Sequence, residues 1–333
     1  MFVKNNDKGI VIVLVYVDDL VITGSNHSGI ESLKRHLSQE FDIKDLGKLK
    51  YFLGIEVASS HKGLFLSQRK YTLDLLKETG KLGVKAASVP MTYSSKFTTN
   101  DAPLHDVGQY QCLVGRLIYL TITRPDIAYA VSYVSQFMQA PTHGHMELID
   151  QLLRYLKASP GRGVLMKNNG HTEIVGYIDA DWAGSPVDRR STTGFCTFVG
   201  GNIVTWKRKK QSGVARLSAE AEYRAMASAT SEIVWLRILL QELGCETTAK
   251  PTKFFCDNQA ATHIASNPVF HEKTKHIEVD CHFVREKVQD KTIETPFVCS
   301  EDQLADIFTK ALPRGSFQVM MNKLTSDVVF APT

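Results

Sequence analysis

The 333-residue sequence has six cysteines, at 112, 196, 245, 256, 281 and 299, and no C-x-x-C pair among them. Thiols so dispersed argue against a zinc knuckle and against a disulfide framework, and read as packing residues of an intracellular protein. Long apolar runs are also missing. The stretch from Ile10 to Val17 falls well short of the ~20 residues of a membrane span, and the start "MFVKNND" lacks the basic region of a signal peptide. Neither secretion nor a membrane partner is expected. No charge of one sign dominates: 39 basic against 35 acidic residues leave +4. A polyanion partner therefore has to be held by local clusters such as "KRKK", Lys207 to Lys210. Internal repeats are absent.

What the chain does have is 43% hydrophobic and 22% charged residues, enough for about two or three domains with real cores. Residues 1–87 alternate strand-like and helical segments. "IVIVLVYV" and "LVITG" read as a hairpin, "IESLKRHLSQEF" as a helix, and "LKYFLGIEVASSHKGLFLSQ" as a second hairpin turning at "HKG". Residues 88–107, rich in Ser, Thr, Pro and Asp, read as a linker. Residues 108–166 carry three helical patterns broken at "TRPD" and "APTHGH".

The block 172–312 has the order βββαβααβα. Its strands are "EIVGYIDA", "GFCTFVG", "NIVTWKR", "KFFCDN" and "TIETPFVCS". A Gly200-Gly201 turn suits a tight hairpin. The long helix runs from a Ser218 N-cap to a Gly244 stop, and "DQLADIFTKAL" reads as the last helix.

Asp179 ends the first of these strands and Asp257 the fourth; Glu222 lies in the first turns of the long helix and Asp306 in the last helix. Glu222 shares a helix face with Met226, Ala229, Ile233, Leu236 and Leu240, the stripe that should face the core. A carboxylate there has to be neutralised, paired or bound to a cation. Magnesium fits if other carboxylates converge, since it takes oxygen ligands, and two such ions about 4 Å apart can cleave a phosphodiester. Asp181 points the same way as Asp179 along an ideal strand, and Glu220 lies two residues before Glu222. His271, His276 and His282 form no ligand set, and "HGHME" (143–147) reads as an exposed helix start.

The stretches "GYIDADWAG", "LSAEAEYRAMA", "FFCDNQAATHIASN" and "EDQLADIFTK" resemble the ribonuclease H domain of copia-type retrotransposon Pol polyproteins. That resemblance implies an α/β fold with a ribonuclease H-like five-stranded mixed sheet and helices. It also implies four acidic ligands, Asp179, Glu222, Asp257 and Asp306, holding two Mg2+ (or Mn2+) ions for hydrolysis of RNA in RNA–DNA hybrids. The loop "VCSEDQ" has no histidine, which leaves proton transfer at product release unassigned.

"YVDDL" resembles the catalytic hairpin of reverse transcriptases, with Asp18 and Asp19 as metal-binding carboxylates. "DLGKLKYFLGIEV" and "RPDIAYAVSYVSQFMQAPTHGHMELIDQLLRYLKASPGRGV" extend the likeness. It implies a truncated reverse transcriptase palm (α+β, 1–87), a helical thumb or connection region (108–166) and a divergent tail (313–333). With 17 residues before Asp18, a third carboxylate and the fingers are not expected, so polymerisation by this chain alone is not expected either.

Nucleic-acid contacts are expected at Lys48 and Lys50, at Arg189 and Arg190, and at Lys207, Arg208, Lys209 and Lys210. The partners implied are RNA–DNA hybrid, single-stranded or duplex nucleic acid, and upstream Pol segments supplied in trans. An active element would work in a cytoplasmic virus-like particle or in the nucleus. The alternative is a non-catalytic nucleic-acid-binding or inert relic.

Overall fold

The computed structural model of the chain describes residues 1–92, 101–185, 187–245, 250–266 and 278–324. Strands β1 (Phe2–Asn6), β2 (Gly9–Tyr16) and β3 (Asp19–Gly24) form an antiparallel sheet in that order. The β2–β3 hairpin pairs Tyr16 with Asp19 across a Val17-Asp18 turn, where Val17 takes a left-handed φ of 49°. Its apolar run suggests burial, yet Leu14, Val15, Tyr16, Val17 and Leu20 are all exposed, Val17 by 82%. Helix α1 (His27–Glu40) starts where Asn26 Oδ1 accepts the Gly29 N–H and buries no residue.

Next come β4 (Tyr51–Phe52), β5 (Ile55–Ser60), β6 (Gly63–Ser67) and α2 (Arg69–Glu78). The β5–β6 hairpin closes Ser60 on Gly63, turning at His61 and Lys62 as "HKG" indicates. Of the expected linker, residues 93–100 lie outside the described residues. The three helical patterns become α3 (Val107–Leu120), a 3-10 turn (Pro125–Ile127) leading into α4 (Ala128–Ser135), and α5 (His143–Ala158).

Arg124 and Asp126 of "TRPD" are fully buried as a bidentate pair at 2.9 and 2.7 Å, and Asp126 also accepts from Tyr155 Oη at 2.6 Å. Burial opposes ionisation of Asp126, but the Arg124 guanidinium outweighs it and holds the carboxyl down at about 2. A short strand not foreseen, β7 (Gly163–Met166), then returns to pair antiparallel with β6 and completes the sheet β4-β5-β6-β7.

The C-terminal unit is built on β8 (Ile174–Asp181), β9 (Thr192–Val199), β10 (Asn202–Lys210), β11 (Thr252–Cys256) and β12 (Ile293–Glu294). Their order is β10-β9-β8-β11-β12, antiparallel across β10, β9 and β8 and parallel from β8 through β12. This is the mixed five-stranded sheet with helices that the family resemblance implies.

One face is covered by α6 (Ser218–Glu242), α7 (Gln259–Ser266) and α8 (Glu278–Gln289) around Ile178, Phe195, Tyr223, Met226 and Phe254. The other face of the sheet carries the short α9 (Asp306–Thr309), whereas α10 (Arg314–Leu324) sets Phe317 edge-on to Tyr155 of α5. On the α9 side Cys196, Phe198, Ile203 and Phe308 share one continuous apolar core with α3, α4 and α5. Trp206 Nε1 donates to Thr121 O at 2.9 Å across that junction.

Several local expectations are corrected. Ser218 is not the N-cap: Leu217 holds that position without a side-chain bond, and Glu220 Oε2 accepts the Arg216 N–H at 2.8 Å instead. Gly244 does close the helix at φ 70°, with the Cys245 N–H on Leu240 O at 2.9 Å. The fifth strand is short because Pro296 has no N–H to continue the ladder; beyond Glu294 only an isolated Cys256–Phe297 bridge follows.

The last helix is broken into a 3-10 turn at Ser300–Asp302 and the four-residue α9. Between them the Gln303 side chain donates to Ile178 O at 2.7 Å and accepts from Ala305 N at 3.1 Å. "HGHME" is not exposed throughout: His145 is buried, stacks on Phe137 at 3.8 Å between centroids, and accepts the Thr142 N–H at 2.9 Å as half of a capping box.

Candidate metal centre

Glu222 lies at the start of the second turn of α6 and points inward because the face it shares with Met226, Ala229, Ile233, Leu236 and Leu240 is buried against the sheet. Its Oε1 accepts the Ala180 N–H at 3.1 Å, which pins it beside the end of β8. Asp179 precedes that amide on β8, Asp257 follows β11, and Asp306 opens α9. Potential ligand atoms of Asp179, Asp257 and Asp306 all lie within 4.8 Å of one another, and so do those of Glu222, Cys256 and Asp257. Asp257 belongs to both groups, so four carboxylates from four separate elements meet in one pocket.

Each carboxylate is held by its surroundings. The Thr309 hydroxyl donates to Asp179 Oδ2, and Ser300 Oγ donates to Asp257 Oδ2 at 2.9 Å. Gly194, opposite Asp179 in the β8–β9 register, leaves the room that Thr309 and Phe308 of α9 fill. Burial, then the charges of Asp179 and Asp257, push the Glu222 carboxyl up to about 9. Burial and Asp179 raise Asp306 to about 6 against the pull of Lys310. Four carboxylates against the single ammonium of Lys310 leave an excess of negative potential among oxygen donors, which suits a hard divalent cation.

The competing acids join neither group. Glu220 pairs with Arg224 at 2.9 Å, and Asp181 is raised by burial and by Asp179. His271 and His276 lie outside the described residues, and His282 is exposed on α8 and joins neither group.

Two residues near the carboxylates went unassigned in the sequence. Cys256 brings its thiol 4.0 Å from Glu222 Oε2. Lys310 places Nζ 2.9 Å from Asp306 Oδ1 and 3.3 Å from Asp179 Oδ2. Burial pulls this ammonium down, but Asp179 and Asp306 outweigh it and hold it above its ordinary value. The i,i+4 spacing of Asp306 and Lys310 on a helix was a readable signal for this contact.

Asp18 and Asp19 stand apart. Both are exposed at the tip of the β2–β3 hairpin, and among the described residues they join no group of three potential ligands. Their mutual repulsion is relieved by water. Lys48 and Lys50 are exposed on the segment before β4, and Arg189 and Arg190 on the β8–β9 loop. Strand alternation splits "KRKK": Lys207 and Lys209 are exposed, whereas Arg208 lays its guanidinium over Tyr129 at 4.5 Å and Lys210 pairs with Asp188 at 2.9 Å. Among the described residues no helix is long and apolar enough to cross a membrane.

Comparisons with known proteins give three kinds of likeness. The family model described as reverse transcriptase (RNA-dependent DNA polymerase) matches residues 1–93. The retrovirus-related Pol polyprotein from transposon RE1 of Arabidopsis thaliana is 44% identical over 325 residues, covering 97% of this chain and 22% of that protein. An uncharacterized mitochondrial protein of the same plant is 43% identical over 222 residues, 67% of this chain and 92% of that one. The chain spans about a fifth of the length of the curated Pol polyproteins it matches first. Among solved structures, a foamy viral protease-reverse transcriptase in complex with double-stranded DNA superposes with a TM-score of 0.51 at 12% identity, over 90% of this chain and 46% of that one. At that identity the likeness shows the fold.

Proposed function

Because the chain belongs to the retrovirus-related Pol polyproteins of copia-type transposons, we propose that its C-terminal unit, residues 172–312, hydrolyses RNA in RNA–DNA hybrids with magnesium or manganese. The observation that carries this reading is the meeting of Asp179, Glu222, Asp257 and Asp306 in one pocket, with Asp257 common to two groups of potential ligands. These four side chains would hold the ions. When bound, a pair of divalent ions activates water and stabilises the leaving oxygen of a phosphodiester.

The chain's own residues hold the donors in place. The Ala180 N–H fixes Glu222, Thr309 fixes Asp179, Ser300 fixes Asp257, and Gln303 ties the loop before α9 to β8. One water adds across the P–O3′ bond, leaving a 3′-hydroxyl and a 5′-phosphate. Lys48, Lys50, Arg189, Arg190, Lys207 and Lys209 are exposed cations suited to tracking a phosphate backbone without reading sequence. Arg208 and Lys210 serve tertiary contacts in this arrangement.

The N-terminal unit is in this reading part of a polymerase palm. Asp18 and Asp19 are adjacent exposed carboxylates that join no third ligand among the described residues, and upstream Pol segments would supply one.

The test is to incubate the purified chain with a labelled RNA–DNA hybrid and Mg2+, beside Asp179→Asn and Glu222→Gln variants. Cleavage that disappears in both variants supports the nuclease. Equal background in all three chains overturns it and leaves the alternative, a relic that binds nucleic acid or is inert.

A further inference from the structure

Among the described residues, Lys310 is the cation that ion-pairs with the pocket's carboxylates, and its charge matches that of the ions proposed to bind there. It follows Asp306 by one helical turn and extends past the end of α9. Its Nζ lies 2.9 Å from Asp306 Oδ1, 3.3 Å from Asp179 Oδ2 and 3.4 Å from Asp179 Oδ1. An ammonium is a compact point charge with three donors and no acceptor, so every contact it makes here uses a carboxylate lone pair. A divalent ion binds the same kind of oxygen at ~2.0–2.1 Å and is repelled by a positive charge held a few ångströms away. The oxygens of Asp179 and Asp306 therefore cannot serve both partners fully. The side chain of Lys310 is still 39% exposed, so its flexible stem can carry the ammonium out toward water without breaking the core.

Resting on the proposed metal centre, we infer that Lys310 is a built-in competitor of the divalent ion, and that ions occupy Asp179 and Asp306 only as its ammonium leaves them. Metal affinity is then set lower than four converging carboxylates would give. Lys310 acts as a positioning residue: it holds the carboxylates in place and yields them.

The test uses the full chain with Mn2+ as probe. Titration calorimetry and thermal unfolding with and without the metal are run on the wild type, Lys310→Met, Lys310→Arg and, as a control for net charge, Lys62→Met in the exposed β5–β6 turn. Lys310→Met is expected to bind Mn2+ on the order of tenfold more tightly, to unfold at a lower temperature without metal, and to show a larger metal-induced rise in Tm. Lys310→Arg and Lys62→Met are expected to stay within about twofold of the wild type.

A lysine with a structural role alone would lower Tm equally with and without metal and leave the affinity unchanged. That result, in a wild type that binds Mn2+, overturns this inference and leaves the metal centre standing. Absence of Mn2+ binding in both the wild type and Lys310→Met overturns the metal centre and the inference with it.

Discussion

Replacing Glu222 with glutamine should stabilise the metal-free chain at neutral pH and flatten its response to pH. The Glu222 carboxyl is buried between Asp179 and Asp257 and is pushed from its ordinary 4.5 up to about 9. Folding therefore retains a proton that the unfolded chain releases above pH 4.5, so stability falls as pH rises between those two values. At pH 7 the interval is 7 − 4.5 = 2.5 pH units, and at about 1.4 kcal/mol per unit the loss relative to acid pH is roughly 3 kcal/mol.

Glutamine keeps the shape and the oxygen that accepts the Ala180 N–H but has nothing to ionise. It should recover most of that ~3 kcal/mol at pH 7, and more at pH 9. Urea denaturation in EDTA at pH 5, 7 and 9 measures this directly. Adding Mg2+ should reverse the order, because the wild type gains stability from a bound ion and the variant has lost a ligand. Parallel pH profiles for the two chains in EDTA would refute the reasoning, since Glu222 would then be ionised in the folded state at little cost.

Asp126→Ala strands the fully buried Arg124 guanidinium and should cost about 3–5 kcal/mol of stability by denaturant titration. Gly194→Ala would put a methyl 2.4 Å from Thr309 Cγ2 and 3.1 Å from Phe308 Cβ; calorimetry should register about 1–3 kcal/mol of destabilisation, together with weaker Mn2+ binding as α9 shifts. The double change Lys207→Ala, Lys209→Ala should reduce the slope of log affinity against log salt by about 2 in filter binding to a hybrid. Asp18→Asn with Asp19→Asn should leave hybrid cleavage unchanged. Neither that variant nor the wild type of these 333 residues should extend a primer, and template-directed synthesis by the wild type would contradict the reading of Asp18 and Asp19 as a pair with no third ligand among the described residues.

Where periodicity was long, the sequence was readable. The stripe from Glu222 to Leu240 puts α6 against the sheet and aims a carboxylate inward, because about five turns with the same face buried leave a single orientation. The hairpins at Val17-Asp18, His61-Lys62 and Gly200-Gly201 were legible because each lies between two strand-like runs rich in β-branched and aromatic residues.

The misses share a different cause. Gln303 splits the last helix by bonding to nearby Ala305 N and to Ile178 O, the second a contact 125 residues away in sequence that no local pattern reports. His145 looked like a surface histidine until Phe137 supplied a ring to stack on. The strand β7 has only four residues and little amphipathic signal; pairing with β6 makes it a strand. The apolar hairpin around Asp18 and Asp19 misled in the opposite direction, since composition cannot say which neighbours cover a strand.

The late pairing of β7 also sets an order of assembly. Leu66 meets Val164 across 164 − 66 = 98 residues of chain, so one edge of the N-terminal four-stranded sheet stays bare while the intervening helices are synthesised and docked. Until residue 166 has left the ribosome, the unpaired amides and carbonyls of Gly63–Ser67 are a template for any passing strand. A transcript of this element interrupted between α2 and β7 would thus yield a polypeptide prone to clump, whatever the condition of its acidic pocket.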